Sequence, residues 1–166
     1  MIFVTVGTHE QQFNRLIRVV DELRETGVIN EDVFVQTGYS DYKPKYCGWA
    51  KIIGYEEMRE RMRKARVIIT HGGPSSFMEV ISMGKVPIVV PRQFRYKEHV
   101  NNHQVDFCKA IITKGYKILL VEEVSELKLF LERSKNMDSV EVRSNNQQFN
   151  EGLARLIYRQ LGLYNE

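Results

Sequence analysis

Cysteine, proline and tryptophan are scarce in these 166 residues, at two, four and one. The two thiols, Cys47 and Cys108, lie far apart and outside any C-x-x-C spacing. The sequence therefore offers neither a disulfide framework nor a cysteine zinc motif, and both thiols read as free in a reducing compartment. No apolar run approaches the roughly 18 residues of a membrane-spanning helix. The opening stretch, MIFVTVG, has no basic region before it and is too short for a secretion signal, so a cytoplasmic location is expected. No G-x-G-x-x-G follows a strand candidate, which argues against a dinucleotide cofactor. Charge of one sign is also missing: 24 basic against 21 acidic residues leave a net +3. With no basic stripe interleaved with aromatics, nucleic-acid binding is not expected.

What is present fits one ordinary α/β domain spanning residues 1–166. Hydrophobic residues make up 43% and charged residues 27%, as in globular proteins with a real core. Short apolar runs at residues 2–6, 32–36, 51–55, 67–70, 86–90 and 118–121 read as strands. Helical spacing falls between them, at residues 11–26, 56–65, 75–83, 101–114 and 124–133. Residues 38–48 read as a loop. The regular alternation predicts a Rossmann-like parallel sheet with helices on both faces. A final helix is expected over residues 142–161, with a hinge near residues 134–140. Its apolar residues Val142, Phe149, Leu153, Leu156, Ile157 and Leu161 share one face, suited to packing on this domain or to docking a partner.

Ligands of open α/β sheets bind beyond the carboxyl ends of the strands, and two strand ends here run into glycine. The first is Gly7-Thr8-His9-Glu10, which taken alone is as readily an ordinary turn. The second is Ile69-Thr70-His71-Gly72-Gly73-Pro74-Ser75-Ser76-Phe77-Met78-Glu79. Its glycines allow close backbone approach, and Pro74 suits a first helical turn. Ser75 and Ser76 add hydroxyls where free N–H groups and the helix dipole favour a diphosphate. Glu79 sits one turn further along the same face, where a carboxylate can accept two ribose hydroxyls. A capped helix with a surface glutamate accounts for the same residues. A third cluster runs from Pro91 and Arg92 through His99 to Asn101-Asn102-His103-Gln104. It mixes cations, amides and imidazoles suited to sugar hydroxyls, or makes a solvated loop with a helix cap.

The opening IFVTVGTHEQQFNRLI, the block ITHGGPSSFMEVISMGKVPIVVPR and the later NNHQ together resemble the donor-binding domain of family 28 glycosyltransferases, which have the GT-B fold. They look most like the subgroup split into two chains, the bacterial capsular and exopolysaccharide type. The resemblance covers the chain from Met1 to about Leu120. It implies that Gly7 and Thr8 face the phosphates, with His9 and Glu10 beside them. His71, Gly72, Gly73, Ser75 and Ser76 would surround the diphosphate, Glu79 would bind the ribose, and His103 and Gln104 would reach the donor sugar. Arg92 would pair with phosphate. His9 is a candidate for the general base, with a base on the partner chain as the alternative.

The resemblance further implies an inverting hexosyl transfer, galactose favoured, from a UDP-sugar donor to a lipid-diphosphate-linked sugar. No D-x-D-like acidic pair stands out, in keeping with the family's use of backbone donors, a helix dipole and basic residues in place of a metal. The acceptor would sit on a membrane-associated partner subunit that brings this chain to the inner face of the membrane. The alternative is a non-catalytic enhancer of a partner glycosyltransferase, against which the intact glycine-serine-glutamate block speaks.

Overall fold

The apolar runs do form strands, but most strands are shorter than the runs. A computed structural model describes residues 1–135. The strands are β1 (Ile2–Thr5), β2 (Val33–Gln36), β3 (Gly48–Ala50), β4 (Val67–His71), β5 (Ile88–Val90) and β6 (Leu119–Leu120). The helices between and after them are α1 (Asn14–Glu25), α2 (Tyr55–Lys64), α3 (Pro74–Ser82), α4 (His103–Thr113) and α5 (Leu127–Lys135). Every strand pair is parallel, in the order β3-β2-β1-β4-β5-β6. This is the doubly wound order, and it reverses between β1 and β4.

The expected Rossmann-like sheet with helices on both faces is what forms, and the period of two explains how it is filled. Val4, Val35 and Ile69 point to one face, where Leu16, Ile17 and Val20 of α1 and Leu127 and Leu131 of α5 cover them. Phe3 and Ile68 point to the other, against Met62 of α2 and Val80 of α3. Val89 joins them there, packed with Phe77 of α3 and Phe107 and Ile111 of α4. Both faces bury side chains, which is why the central strands read as continuous apolar runs. No helix among the described residues is long and apolar enough to cross a membrane.

Several boundaries differ from the sequence reading. The third strand is Gly48–Ala50, not residues 51–55, and it takes the end of the segment read as loop. An edge strand needs only backbone to pair, and Gly48 lies beside the Phe34 ring, where a Cβ would touch at 3.4 Å. Ile52 is exposed, and Tyr55 already opens α2. The helix expected from residue 101 begins at His103. The helix expected over residues 124–133 starts as a 3-10 turn, Val124–Glu126, and runs on as α5 to Lys135, into the expected hinge. The rest of that hinge and the expected helix at residues 142–161 lie outside the described residues.

One buried carboxylate organises the long β2–β3 connection. Asp21 of α1 is 1% exposed. It accepts the Tyr42 hydroxyl at 2.7 Å and the backbone N–H groups of Lys45 and Tyr46 at 2.8 Å each. Burial alone would raise its pKa, but these donors outweigh burial and hold it below the ordinary carboxylate value. The stability it contributes is present above the unfolded pKa and is lost as pH falls through the folded one. Asp21→Asn turns an amide N–H2 toward donors. It should cost about 1–3 kcal/mol in urea unfolding; a variant as stable as the parent would show that the connection is held elsewhere.

Candidate functional site

The carboxyl ends of β1 and β4 meet where the strand order reverses, and the polar residues there are fixed by a buried network. Gln36 at the end of β2 is 0% exposed. Its Oε1 accepts the Thr5 hydroxyl at 2.6 Å, and its Nε2 donates to the carbonyls of Gly7 and Lys51 at 3.1 Å each. Three loop starts are thereby held in register. Gly7 has φ +75°, a conformation that favours glycine. A Cβ on Gly7 would lie 2.5 Å from His71 Nε2, and one on Gly38 would lie 2.4 Å from the Gly7 carbonyl oxygen. The loops after β1, β2 and β4 close on one another because two of them carry no side chain at the point of contact.

His71 ends β4 and turns back over the start of α3. The Gly73 N–H donates to its Nδ1 at 2.9 Å, so the ring proton sits on Nε2. Nε2 in turn lies 2.9 Å from Ser76 Oγ and donates to it. That leaves the Ser76 hydroxyl proton free to point outward. Burial, then the nearby Arg92 charge and the His9 and His99 imidazoles, push His71 down to about 3, so the ring is neutral around pH 7. Gly73 is the N-cap of α3 at φ −74°, ψ 128°, an extended backbone open to any residue. What excludes a side chain is space, since a Cβ would lie 2.2 Å from His71 Cε1. Gly72 is fixed by Gln104, whose Oε1 accepts its N–H at 3.1 Å.

The four histidines of the chain converge here from the β1–α1 loop, the end of β4 and the connection from β5 into α4. The His9 and His99 ring centroids are 4.7 Å apart, and His99 meets His103 edge-on at 4.3 Å. His71 and His9 are electrostatically coupled. No three His, Cys, Asp or Glu groups among the described residues converge as metal ligands. Burial, His103, His9 and Arg92, in that order, depress His99 to about 4. His99 is 8% exposed, and its Nδ1 is buried without a hydrogen-bond partner. Burial and Arg92 also lower His9, with Glu10 opposing, while the Gln11 N–H donates to His9 Nδ1 at 3.2 Å.

The expected site residues thus fall into three groups. Gly7, Thr8, His9, Glu10, His71, Gly72, Gly73, Ser75, Ser76 and His103 lie on the loops and helix starts at the carboxyl edge, with Thr8, Glu10, Ser75 and His103 exposed. Glu79 lies on α3 beyond them and meets Arg59 of α2, with Nε 2.9 Å from Oε1. Arg92 and Gln104 sit behind that edge. Arg92 is 0% exposed and its Nη atoms donate to the carbonyls of Val6, Gln11, Gln12 and Glu98. This differs from the phosphate-facing place expected of it, because both Nη groups are already engaged by carbonyls and the side chain is buried. Gln104 is likewise buried, its Oε1 on the N–H groups of Gly72 and Arg92 and not open to a sugar. Sequence reasoning placed His99 in the third cluster without giving it a role of its own, and did not anticipate the Arg59–Glu79 contact. Neither leaves a sequence signal, since the contacts join segments far apart in the chain or set at no regular period.

The model of the glycosyltransferase family 28 C-terminal domain matches residues 1–156. The chain belongs to that family. No curated protein sequence matches it. Among solved structures it is similar to the glycotransferase of kitacinnamycin, at a TM-score of 0.61 and 14% identity over 82% of this chain and 35% of that one. It is also similar to the glycosyltransferase SnogD from Streptomyces nogalater, at 0.53 and 15% over 92% and 39%. A third is CalG4, the calicheamicin glycosyltransferase, at 0.53 and 13% over 81% and 34%. At these identities the likeness is one of fold, and the chain spans a little over a third of the length of these proteins. Within the family 28 frame, the glycine-histidine-serine turn is the feature with free donors at a helix start.

Two outcomes follow from the packing. Gly73→Ala should destabilise the wild-type chain but cost at least about 1 kcal/mol less in a His71→Ala background, the coupling expected of two groups in contact. Equal costs in the two backgrounds of a urea double-mutant cycle would remove the steric account. The second concerns pH. An unfolded histidine protonates near 6.5, whereas His71 and His99 stay neutral in the fold. Stability should therefore fall as pH drops from 6.5 toward 5, by up to about 1.4 kcal/mol per pH unit for each ring. His99→Gln should flatten that slope, and a flat wild-type profile in this range would contradict the assignment.

Proposed function

We propose that this domain binds a UDP-sugar and serves as the donor side of an inverting hexosyltransferase. The observation that carries the reading is the His71–Gly73–Ser76 turn opening α3 at the reversal of strand order, in a family 28 domain. Helix N-termini bind anions because their N–H groups and dipole favour negative charge. Here the Ser76 hydroxyl and the exposed Ser75 add neutral donors. Thr8 and the Gly7 backbone face the same edge from β1. In this reading they hold the diphosphate, Glu79 accepts the ribose hydroxyls, and His103 stands nearest the sugar.

The chemistry asked of such a site is electrostatic. The acceptor hydroxyl oxygen attacks the anomeric carbon from the face opposite the leaving group. The bond from that carbon to the diphosphate oxygen breaks, and UDP leaves with the electron pair. Fixed donors aimed at the developing charge lower the barrier without reorganising. The acceptor's proton passes to a general base, for which His9 is the candidate on this chain. Its lowered pKa keeps it neutral near pH 7, and taking up a proton would require the Gln11 N–H to leave Nδ1. The buried Arg92 charge adds a positive field behind the site.

The acceptor side is assigned to a membrane-associated partner chain that brings this domain to the inner face of the membrane. Galactose is the favoured hexose, and a sugar on a lipid diphosphate in capsular or exopolysaccharide assembly the favoured acceptor. These finer assignments rest on the resemblance in residues 1–120.

Calorimetric titration of UDP into the full chain tests the donor site. Saturable binding is expected, and Glu79→Ala should weaken it by about 10- to 100-fold, as when a charged acceptor of hydrogen bonds is removed. Folded protein that binds no UDP, alone or co-expressed with its partner, would overturn the reading.

A further inference from the structure

The helix α2 carries four cations from Arg59 onward, and three of them are satisfied within the helix. Arg61 pairs with Glu57, and Arg63 and Lys64 both pair with Glu60. Arg59 is the exception: it leaves its own helix and reaches Glu79 of α3. Its Cζ lies 5.7 Å from the centre of the Tyr55 ring, so the guanidinium is backed by an aromatic face. Arg59 Nε is buried and 2.9 Å from Glu79 Oε1, yet its N–H is not directed into a hydrogen bond. The contact is one of charge with little sharing of a proton. No protein donor among the described residues reaches Glu79 Oε2. A carboxylate held by a neighbouring charge, with its lone pairs unspent, is an acceptor awaiting donors.

Holding α2 against α3 does not require Arg59. Lys85, in the turn after α3, donates its Nζ to the carbonyls of Met62, Arg63 and Ala65 at 2.8, 2.6 and 2.7 Å. Those three bonds cap the end of α2 from the α3 side. Met62 packs below, in the cluster with Phe3, Ile68 and Val80. A partly exposed ion pair adds little to that. The register of the two helices is thus set by Lys85 and the core. What remains for Arg59 is the carboxylate itself.

We propose that Arg59 is the positioning residue that makes this site select ribonucleotides over deoxyribonucleotides. This rests on the reading of Glu79 as the ribose acceptor. Arg59 holds the Glu79 carboxylate turned so that both oxygens face a vicinal diol. Removing one hydroxyl of that diol leaves the carboxylate half-served beside a cation, which is where discrimination arises. Sites built to hydrogen-bond a hydroxyl reject the analogue without it far more strongly than apolar pockets reject a methylene.

The test measures dissociation constants of the full chain for UDP and 2′-deoxy-UDP, with thermal melts to confirm folding. Wild type should prefer UDP at least ten-fold. Arg59→Met keeps the apolar stem over Tyr55 and should bring the preference to about two-fold, with the affinity for 2′-deoxy-UDP changed less than two-fold. Arg59→Lys, which keeps the charge without the planar fork, should restore part of the preference. A variant that weakens both ligands in parallel would show a merely structural role and overturn the inference. So would an Arg59→Met protein with wild-type discrimination. If Glu79→Ala abolishes the preference while Arg59→Met leaves it, the ribose reading stands and the role of Arg59 fails. Wild type that binds neither ligand removes both.

Discussion

Arg92 is a guanidinium with no access to water, and the carboxyl edge of the sheet is arranged around it. Its Nη donors reach carbonyls of the β1 end, of the approach to α1 and of the loop before α4. The side chain also lies over Phe13, with Cζ 4.9 Å from the ring centre. An unpaired buried charge is costly unless hydrogen bonds replace its hydration, so these segments are held where the carbonyls solvate it. The counter-charge is Glu98, 0% exposed, which is also gripped by Arg15 at 3.0 Å through both Nε and Nη2. Arg92 bonds only the Glu98 backbone carbonyl and feels its carboxylate through space, so the edge keeps a positive field. Burial lowers Arg92 to about 10, which still leaves it charged at neutral pH. That field, added to burial, is one reason the imidazoles in front of it stay neutral.

Neutral imidazoles at an anion site have a clear use. A neutral His71 accepts one hydrogen bond and donates another, so it fixes Gly73 and orients Ser76 at the same time. A protonated ring would donate from both nitrogens and break the first of these bonds. The low pKa of His71 and the geometry of the turn are therefore one fact seen twice. Glycine at Gly7 and Gly73 leaves room for the ring from both sides.

Much of the architecture was legible because the physics behind it is local. Runs such as Ile2–Thr5 and Val67–His71 are apolar on both faces of the sheet, and the helix α1 declares itself through Leu16, Ile17 and Val20 at helical spacing. The glycine-proline-serine start of α3 was visible for the same reason, since Pro74 and the preceding glycines act within a few residues. The third strand was not. Gly48–Ala50 pairs through backbone at an edge, and backbone pairing writes nothing into residue type. The apolar Ile52 and Ile53 next to it carried the stronger, misleading signal.

The roles of single side chains separate more sharply. The sequence determined that His71, Gly72, Gly73, Ser75, Ser76 and Glu79 share one strand-turn-helix, because contiguity guarantees it. It also determined the family, whose signature lies in three blocks that are each contiguous. Tertiary structure alone decided that Arg92, in a segment read as a loop, and Gln104, near the start of a helix, turn inward to brace backbone. It alone brought His9, His71, His99 and His103 together from loops up to 94 residues apart by number, and set Arg59 on Glu79 across two helices. A charge buried or a ring stacked depends on what the rest of the chain places beside it, and that neighbourhood has no period to read along the sequence.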